Sequence, residues 1–150
     1  MSDSNTEEQA KSKAIVPAKE QIIVAEDSAP NRKILCHLLE KLGYEVISCE
    51  DGGIAWEALL KEESNNVVAI ISDIMMPELS GIDLLKKVRA EERFQNLPFV
   101  LVTAVQEKEY IIEAKAQKVN GYILKPVTFS RVTAKLKELF PTKKFPEIAA

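Results

Sequence analysis

Five short apolar runs recur along the chain: QIIVA (21–25), YEVISC (44–49), VVAIIS (67–72), FVLVT (99–103) and YIL (122–124). Each is followed by a segment with helical spacing. In NRKILCHLLEKLG (31–43) the apolar residues fall at 34, 35, 38, 39 and 42, which places them on one helix face. GGIAWEALLKEE (52–63), GIDLLKKVRAEE (81–92), KEYIIEAKAQKV (108–119) and FSRVTAKLKELF (129–140) read as four further helices. The punctuation agrees. Asp51, Ser80 and Thr128 stand where N-caps belong, Pro30 near a first turn, and Gly43, Asn120-Gly121 and Pro141 at helix ends. Strict alternation of strand and helix predicts an α/β fold, a five-stranded parallel sheet with helices on both faces. The first, third and fourth strands are almost wholly apolar, as strands covered on both sides must be.

The 150 residues suit one domain, and 46% hydrophobic content is enough for a single core. Residues 1–19 are mostly polar without a sustained period and read as a flexible N-terminal tail. Residues 20–140 form the domain, and 141–150 are a short C-terminal tail, too short for a second one. A net charge of −3 leaves no basic footprint for nucleic acid. No apolar run approaches the roughly 20 residues that span a bilayer, and the N-terminal stretch has no apolar h-region, so it is not expected to be a secretory signal. Cys36 and Cys49 make no C-x-x-C pair, so both are expected as reduced thiols in a cytoplasmic protein.

The polar residues that end these strands carry the chemistry. Glu26 and Asp27 follow the first strand, Asp73 the third and Lys125 the fifth, while Thr103 closes the fourth. In an open parallel sheet, function gathers at the carboxyl ends of the strands, so all five should converge. Carboxylates held close together raise each other's pKa unless a cation compensates. A hard divalent ion with oxygen ligands does so, and Mg²⁺ is the natural candidate. Lys125 adds a fixed positive charge and Thr103 a hydroxyl. This set suits a phosphoryl group, with Asp73 as the nucleophile that forms an aspartyl phosphate. No G-x-x-x-x-G-K-[ST] stretch exists, which excludes a nucleotide-binding P-loop.

Four pieces, VAEDSAPNR, SDIMMPELSG, LVTA and GYILKP, in this order and spacing resemble the receiver domain of two-component response regulators, of the chemotaxis-regulator kind. The resemblance covers about residues 20–140. It implies a flavodoxin-like sheet in the order 2-1-3-4-5 and phosphorylation of Asp73 by a histidine kinase or histidine phosphotransfer protein. Asp27 would contact Mg²⁺ directly, Glu26 through water, and Met75 through its backbone carbonyl. Thr103 matches the family's switch hydroxyl, Tyr122 its switch aromatic and Lys125 its lysine, with a cis bond to Pro126. Phosphorylation would alter the surface of helix 4, strand 5 and helix 5, where a downstream protein binds. Met75 and Val105 would flank the path of the hydrolytic water and make self-dephosphorylation slow. Glu26 departs from the commoner Asp. No effector domain follows, so the chain is expected as a stand-alone switch or phosphate relay. It would not be an enzyme beyond its own phosphorylation and dephosphorylation.

Two alternatives use the same residues. A metal-dependent phosphatase of the haloacid dehalogenase type also has a nucleophilic Asp, a hydroxyl, a Lys and an acid pair. It needs a second Asp two positions after the nucleophile, where Met75 cannot transfer a proton. An unphosphorylated receiver-like scaffold would have lost Asp, Thr or Lys, and none is missing. Met76 reads as core filler, Trp56 as partial core packing and His37 as a surface residue.

Overall fold

The computed structural model describes residues 19–61, 66–104 and 108–145. The tail expected over residues 1–19 therefore lies almost wholly outside the described residues, as does Val105. The elements alternate as β1 (Gln21–Ala25), α1 (Ala29–Lys41), β2 (Glu45–Cys49), α2 (Gly52–Leu60), β3 (Val67–Asp73), α3 (Gly81–Ala90), β4 (Phe99–Thr103), α4 (Lys108–Ala116), β5 (Gly121–Leu124) and α5 (Phe129–Leu139). All strand pairs are parallel, in the order β2-β1-β3-β4-β5.

Side chains alternate across each strand, so one sheet builds two cores. Ile23, Ala25, Ile70, Phe99 and Leu101 face one side. There they meet Ala55 and Leu59 of α2, Leu84, Leu85 and Val88 of α3, and Ala114 of α4. Ile22, Val24, Ile71, Val100, Val102 and Ile123 face the other side. Leu35 and Leu39 of α1 and Val132 and Leu136 of α5 cover them. The runs of β1, β3 and β4 are thus buried on both faces, as their composition requires, while the edge strands β2 and β5 are only partly buried.

The caps fall where the sequence places them. Asp51 Oδ1 accepts from Ile54 N at 2.8 Å, Ser80 Oγ from Asp83 N at 3.1 Å, and Thr128 Oγ1 from Arg131 N at 3.2 Å. Helix α1 starts two residues earlier than its apolar period suggests, because Ser28 is its N-cap and Pro30 lies in the first turn. Helix α4 stops at Ala116 rather than at 119. Lys118 takes a left-handed conformation (φ 61°) that ends the turn before Asn120-Gly121 is reached. Helix α3 stops at Ala90 rather than 92, and a 3₁₀ turn over Glu92–Phe94 follows.

The first part of the C-terminal segment folds back on the domain. Phe145 packs on the α1/α5 core with its ring 6.3 Å from that of Tyr44. Lys143 lies 4.2 Å over the Tyr44 ring and pairs with Glu20. Both cysteines are free thiols. Burial pushes Cys49 up to about 11, far from thiolate chemistry at neutral pH. Among the described residues no helix is long and apolar enough to cross a membrane.

Candidate functional site

Strand register places the site. Ala25 is level with Ser72, Asp73 with Val102, and Thr103 with Leu124, so the carboxyl ends of β1, β3, β4 and β5 form one rim. Glu26 N donates to Cys49 O at 3.1 Å, which carries the ladder of β1 one residue beyond the strand. The carboxylates of Glu26, Asp27 and Asp73 offer oxygens that all lie within 4.8 Å of one another. Glu26 and Asp73 are buried and Asp27 is exposed.

The two buried acids are fixed by neighbouring groups. Asp73 is the last residue of β3, and its Oδ1 accepts from Ile74 N at 2.9 Å. Its Oδ2 accepts from Lys125 Nζ at 3.2 Å. Glu26 Oε2 accepts from Ser28 N at 3.1 Å, and Arg32 of α1 donates from Nη1 to Glu26 O at 2.7 Å. Burial pushes the Glu26 carboxyl up to about 7; the Ser28 amide opposes the rise and the neighbouring Asp73 charge adds to it. Burial is thus the main cause of the rise, and the like charge anticipated from the sequence is a smaller contributor.

The loop from β3 to α3 is shaped by two close approaches. A Cβ at Gly81 would lie 2.1 Å from Asp73 O, and one at Gly52 would lie 2.3 Å from Leu79 O. Only glycine lets the first turns of α3 and α2 pack this tightly on β3 and the loop that follows it. Gly81 N also donates to Ile74 O at 2.8 Å, closing the loop behind Asp73.

Thr103 is fully buried at the end of β4, and its Oγ1 donates to Ala104 O at 3.1 Å. Tyr122 sits on β5 opposite Leu101, 39% exposed. Met75 is exposed two positions beyond Asp73, whereas Met76 packs on the core. The Lys125-Pro126 bond is cis. A cavity of about 410 Å³ opens beside the acids, with Glu26, Asp73 and Lys125 on its polar side and Leu35, Val102 and Val127 on its apolar side.

The structure thus brings Glu26, Asp27, Asp73 and Lys125 together, with Thr103 on the same rim. Tyr122 and the Met75 side chain lie outward. His37 is exposed on α1, and Trp56 is half-buried with its ring edge-on to Phe94 at 6.4 Å. Ser28, Arg32 and Gly81 were not singled out from the sequence. Ser28 could have been, as a polar residue just before a proline-initiated helix.

Residues 22–137 match the response regulator receiver domain family. The chain is 38% identical over 123 residues to the chemotaxis protein CheY1 of Helicobacter pylori, covering 81% of this chain and 98% of that one. Its fold overlays CheY4 of Vibrio cholerae with a TM-score of 0.74 at 27% identity, covering 82% of this chain and all of that one. It also overlays the receiver domain of a sensor histidine kinase from Pseudomonas aeruginosa, solved with a magnesium ion coordinated in the active-site cleft. There the TM-score is 0.71 at 26% identity, over 81% of this chain and 97% of that one. The chain belongs to the receiver-domain family of response regulators. As a receiver homologous to the CheY proteins, it is a phosphorylation-dependent signalling switch rather than a classical enzyme.

Proposed function

We propose that Asp73 is the phosphoryl acceptor and that the donor is a phosphorylated histidine on a kinase or phosphotransfer protein. An oxygen of Asp73 attacks phosphorus; the new P–O bond forms as the P–N bond breaks, and the departing imidazole takes up a proton. The observation that carries this reading is the contact of Lys125 Nζ with Asp73 Oδ2 at 3.2 Å, within a cluster of three carboxylates. Lys125 can follow the charge onto the phosphoryl oxygens once Asp73 is modified.

The donor set fits a hard divalent cation: oxygen ligands only, two of them buried, and one raised to about 7 by burial and, to a smaller extent, by the neighbouring Asp73 charge. Glu26, Asp27, Asp73 and the Met75 carbonyl would hold Mg²⁺. When bound, it supplies positive charge that offsets both the acids and the phosphoryl oxygens. Phosphorylation places about two negative charges where one stood. The Thr103 hydroxyl turns from Ala104 O toward the new oxygens, and Tyr122 turns inward as Thr103 shifts. This reshapes the surface of α4, β5 and α5, where Ile112 (73%), Tyr122 (39%) and Leu124 (38%) already offer exposed apolar area to a downstream protein. The net charge of −3 favours a protein partner over nucleic acid.

Incubation with acetyl phosphate and Mg²⁺, read by intact mass, tests the acceptor. The expected gain is one phosphoryl group, absent without Mg²⁺ and absent in Asp73→Asn. Equal labelling of the Asn variant would assign the acceptor elsewhere.

A further inference from the structure

Arg131 is the third residue of α5 and lies on no polar side of the cavity. Its guanidinium nevertheless turns back over the loop that carries Lys125. One nitrogen, Nη1, donates to Leu124 O and to Pro126 O, both at 3.0 Å. These are the carbonyls immediately before and after Lys125. The backbone of Arg131 is itself fixed, since its amide donates to the Thr128 cap at 3.2 Å. On the other side, Lys125 N donates to Thr103 O at 2.8 Å. The root of the lysine is therefore held by α5 and by β4 at the same time.

We propose that Arg131 is a positioning residue for Lys125. Leu124 is the last paired residue of β5 and the Lys125 amide is its last tie to β4, so past that amide the sheet no longer dictates where the chain goes. A four-carbon side chain magnifies small rotations at its root. Clamping both flanking carbonyls limits those rotations and keeps Nζ at Asp73 Oδ2, where it must stay to meet a phosphoryl group. An arginine does this from one planar, pre-organised donor. The clamp places Arg131 outside the reacting atoms; it acts through Lys125.

One arm of the test is independent of phosphate. Trace acylation with acetic anhydride, read by peptide mass spectrometry, compares Lys125 with the exposed Lys33 in the same molecule. Arg131→Ala should raise the relative reactivity of Lys125 roughly threefold, as expected for weakening its held geometry by part of a hydrogen bond. Arg131→Lys, which keeps a cationic donor, should return it toward wild type. The second arm rests on the acceptor assignment above. With acetyl phosphate and saturating Mg²⁺, Arg131→Ala should slow phosphorylation about fivefold, while Mg²⁺ affinity, set by the acids, stays unchanged. In a Lys125→Ala background the same substitution should change nothing further. Unchanged Lys125 reactivity, or an equal loss of rate without Lys125, overturns the proposal. A wild-type protein that takes no phosphate overturns the acceptor assignment alone, and the acylation arm still decides the role of Arg131.

Discussion

At the amino-terminal edge of the sheet, the half-buried Arg89 donates to Leu97 O at 2.8 Å, to Lys118 O at 3.0 Å and to Asn120 Oδ1 at 2.8 Å. Asn120 Oδ1 in turn accepts from Phe99 N at 2.8 Å. At the carboxyl edge, Glu26 is buried beside two more carboxylates. Burial disfavours the ion at both ends: it lowers the Arg89 pKa and raises that of Glu26. The difference lies in the partners. Arg89 meets only acceptors, which stitch α3, β4 and the α4–β5 connection together. Glu26 has one amide on its carboxylate and like charge around it. A satisfied charge holds a fold together, whereas a conflicted one is poised to bind a cation.

The largest effect should come from breaking the satisfied end. Arg89→Ala leaves several backbone acceptors at the ends of three elements without their donor. It should cost about 3 kcal/mol in denaturant unfolding. Mg²⁺ affinity of the folded protein should change little, because Arg89 lies at the far edge of the sheet. A loss of Mg²⁺ binding as large as the loss of stability would mean that the two ends are not separable.

At the conflicted end the acids should divide by role. Asp27→Ala removes an exposed carboxylate, so stability should hold while Mg²⁺ affinity falls about 100-fold. Glu26→Gln should weaken Mg²⁺ less, on the order of tenfold. Isothermal titration at pH 8 reads both. Equal losses would remove the distinction between a direct ligand and a supporting one.

Glu26 also makes stability depend on pH. Its carboxyl titrates near 4.5 when unfolded and at about 7 when folded without metal. Below 4.5 both states hold the proton, and the fold loses nothing. As pH rises from there through 7, the unfolded chain releases its proton first, so stability falls by about 3 kcal/mol and then levels off. Glu26→Gln should abolish this decline and be the more stable protein at pH 8, opposite in sign to Arg89→Ala. Saturating Mg²⁺ should flatten the wild-type profile. A wild type whose metal-free stability is flat from pH 5 to 8 would place the conflict elsewhere.

What could be read from the sequence follows the same division. Strand ends deliver their next residue to one rim, so Glu26, Asp73, Thr103 and Lys125 were legible from position alone. Caps at Asp51, Ser80 and Thr128 were legible because capping is local. Arg32, Arg89 and Arg131 were not. Each reaches a carbonyl across a loop, a contact with no period and no composition to mark it. The cradle at Gly81 was hidden for another reason: the glycine follows a cap serine and reads as helix entry, while the atom it makes room for is the Asp73 carbonyl, eight positions earlier. The apolar period runs past the end of helix α4 to Val119, and nothing at Lys118 announces a left-handed residue.

The smallest effect concerns how long the phosphoryl group stays. Self-hydrolysis needs a water in line with the P–O bond, opposite the Asp73 oxygen that leaves. Met75, two positions beyond Asp73, is exposed and has only a thioether to offer that water. Orienting a water needs a strong donor or acceptor, so this chain is expected to decay slowly and to rely on a phosphatase or on back-transfer for rapid shut-off. Met75→Asn supplies both a donor and an acceptor at the surface, with no core volume changed. It should speed decay about threefold; adding Val105→Glu should bring the total to roughly tenfold, or about 1.4 kcal/mol of barrier. The measurement is phosphate release after donor removal at fixed, saturating Mg²⁺. Stability and Mg²⁺ affinity should not move, which separates this effect from damage to either end of the sheet. A wild type that already decays within seconds, or variants that decay no faster, would show that the water is held by something other than these two side chains.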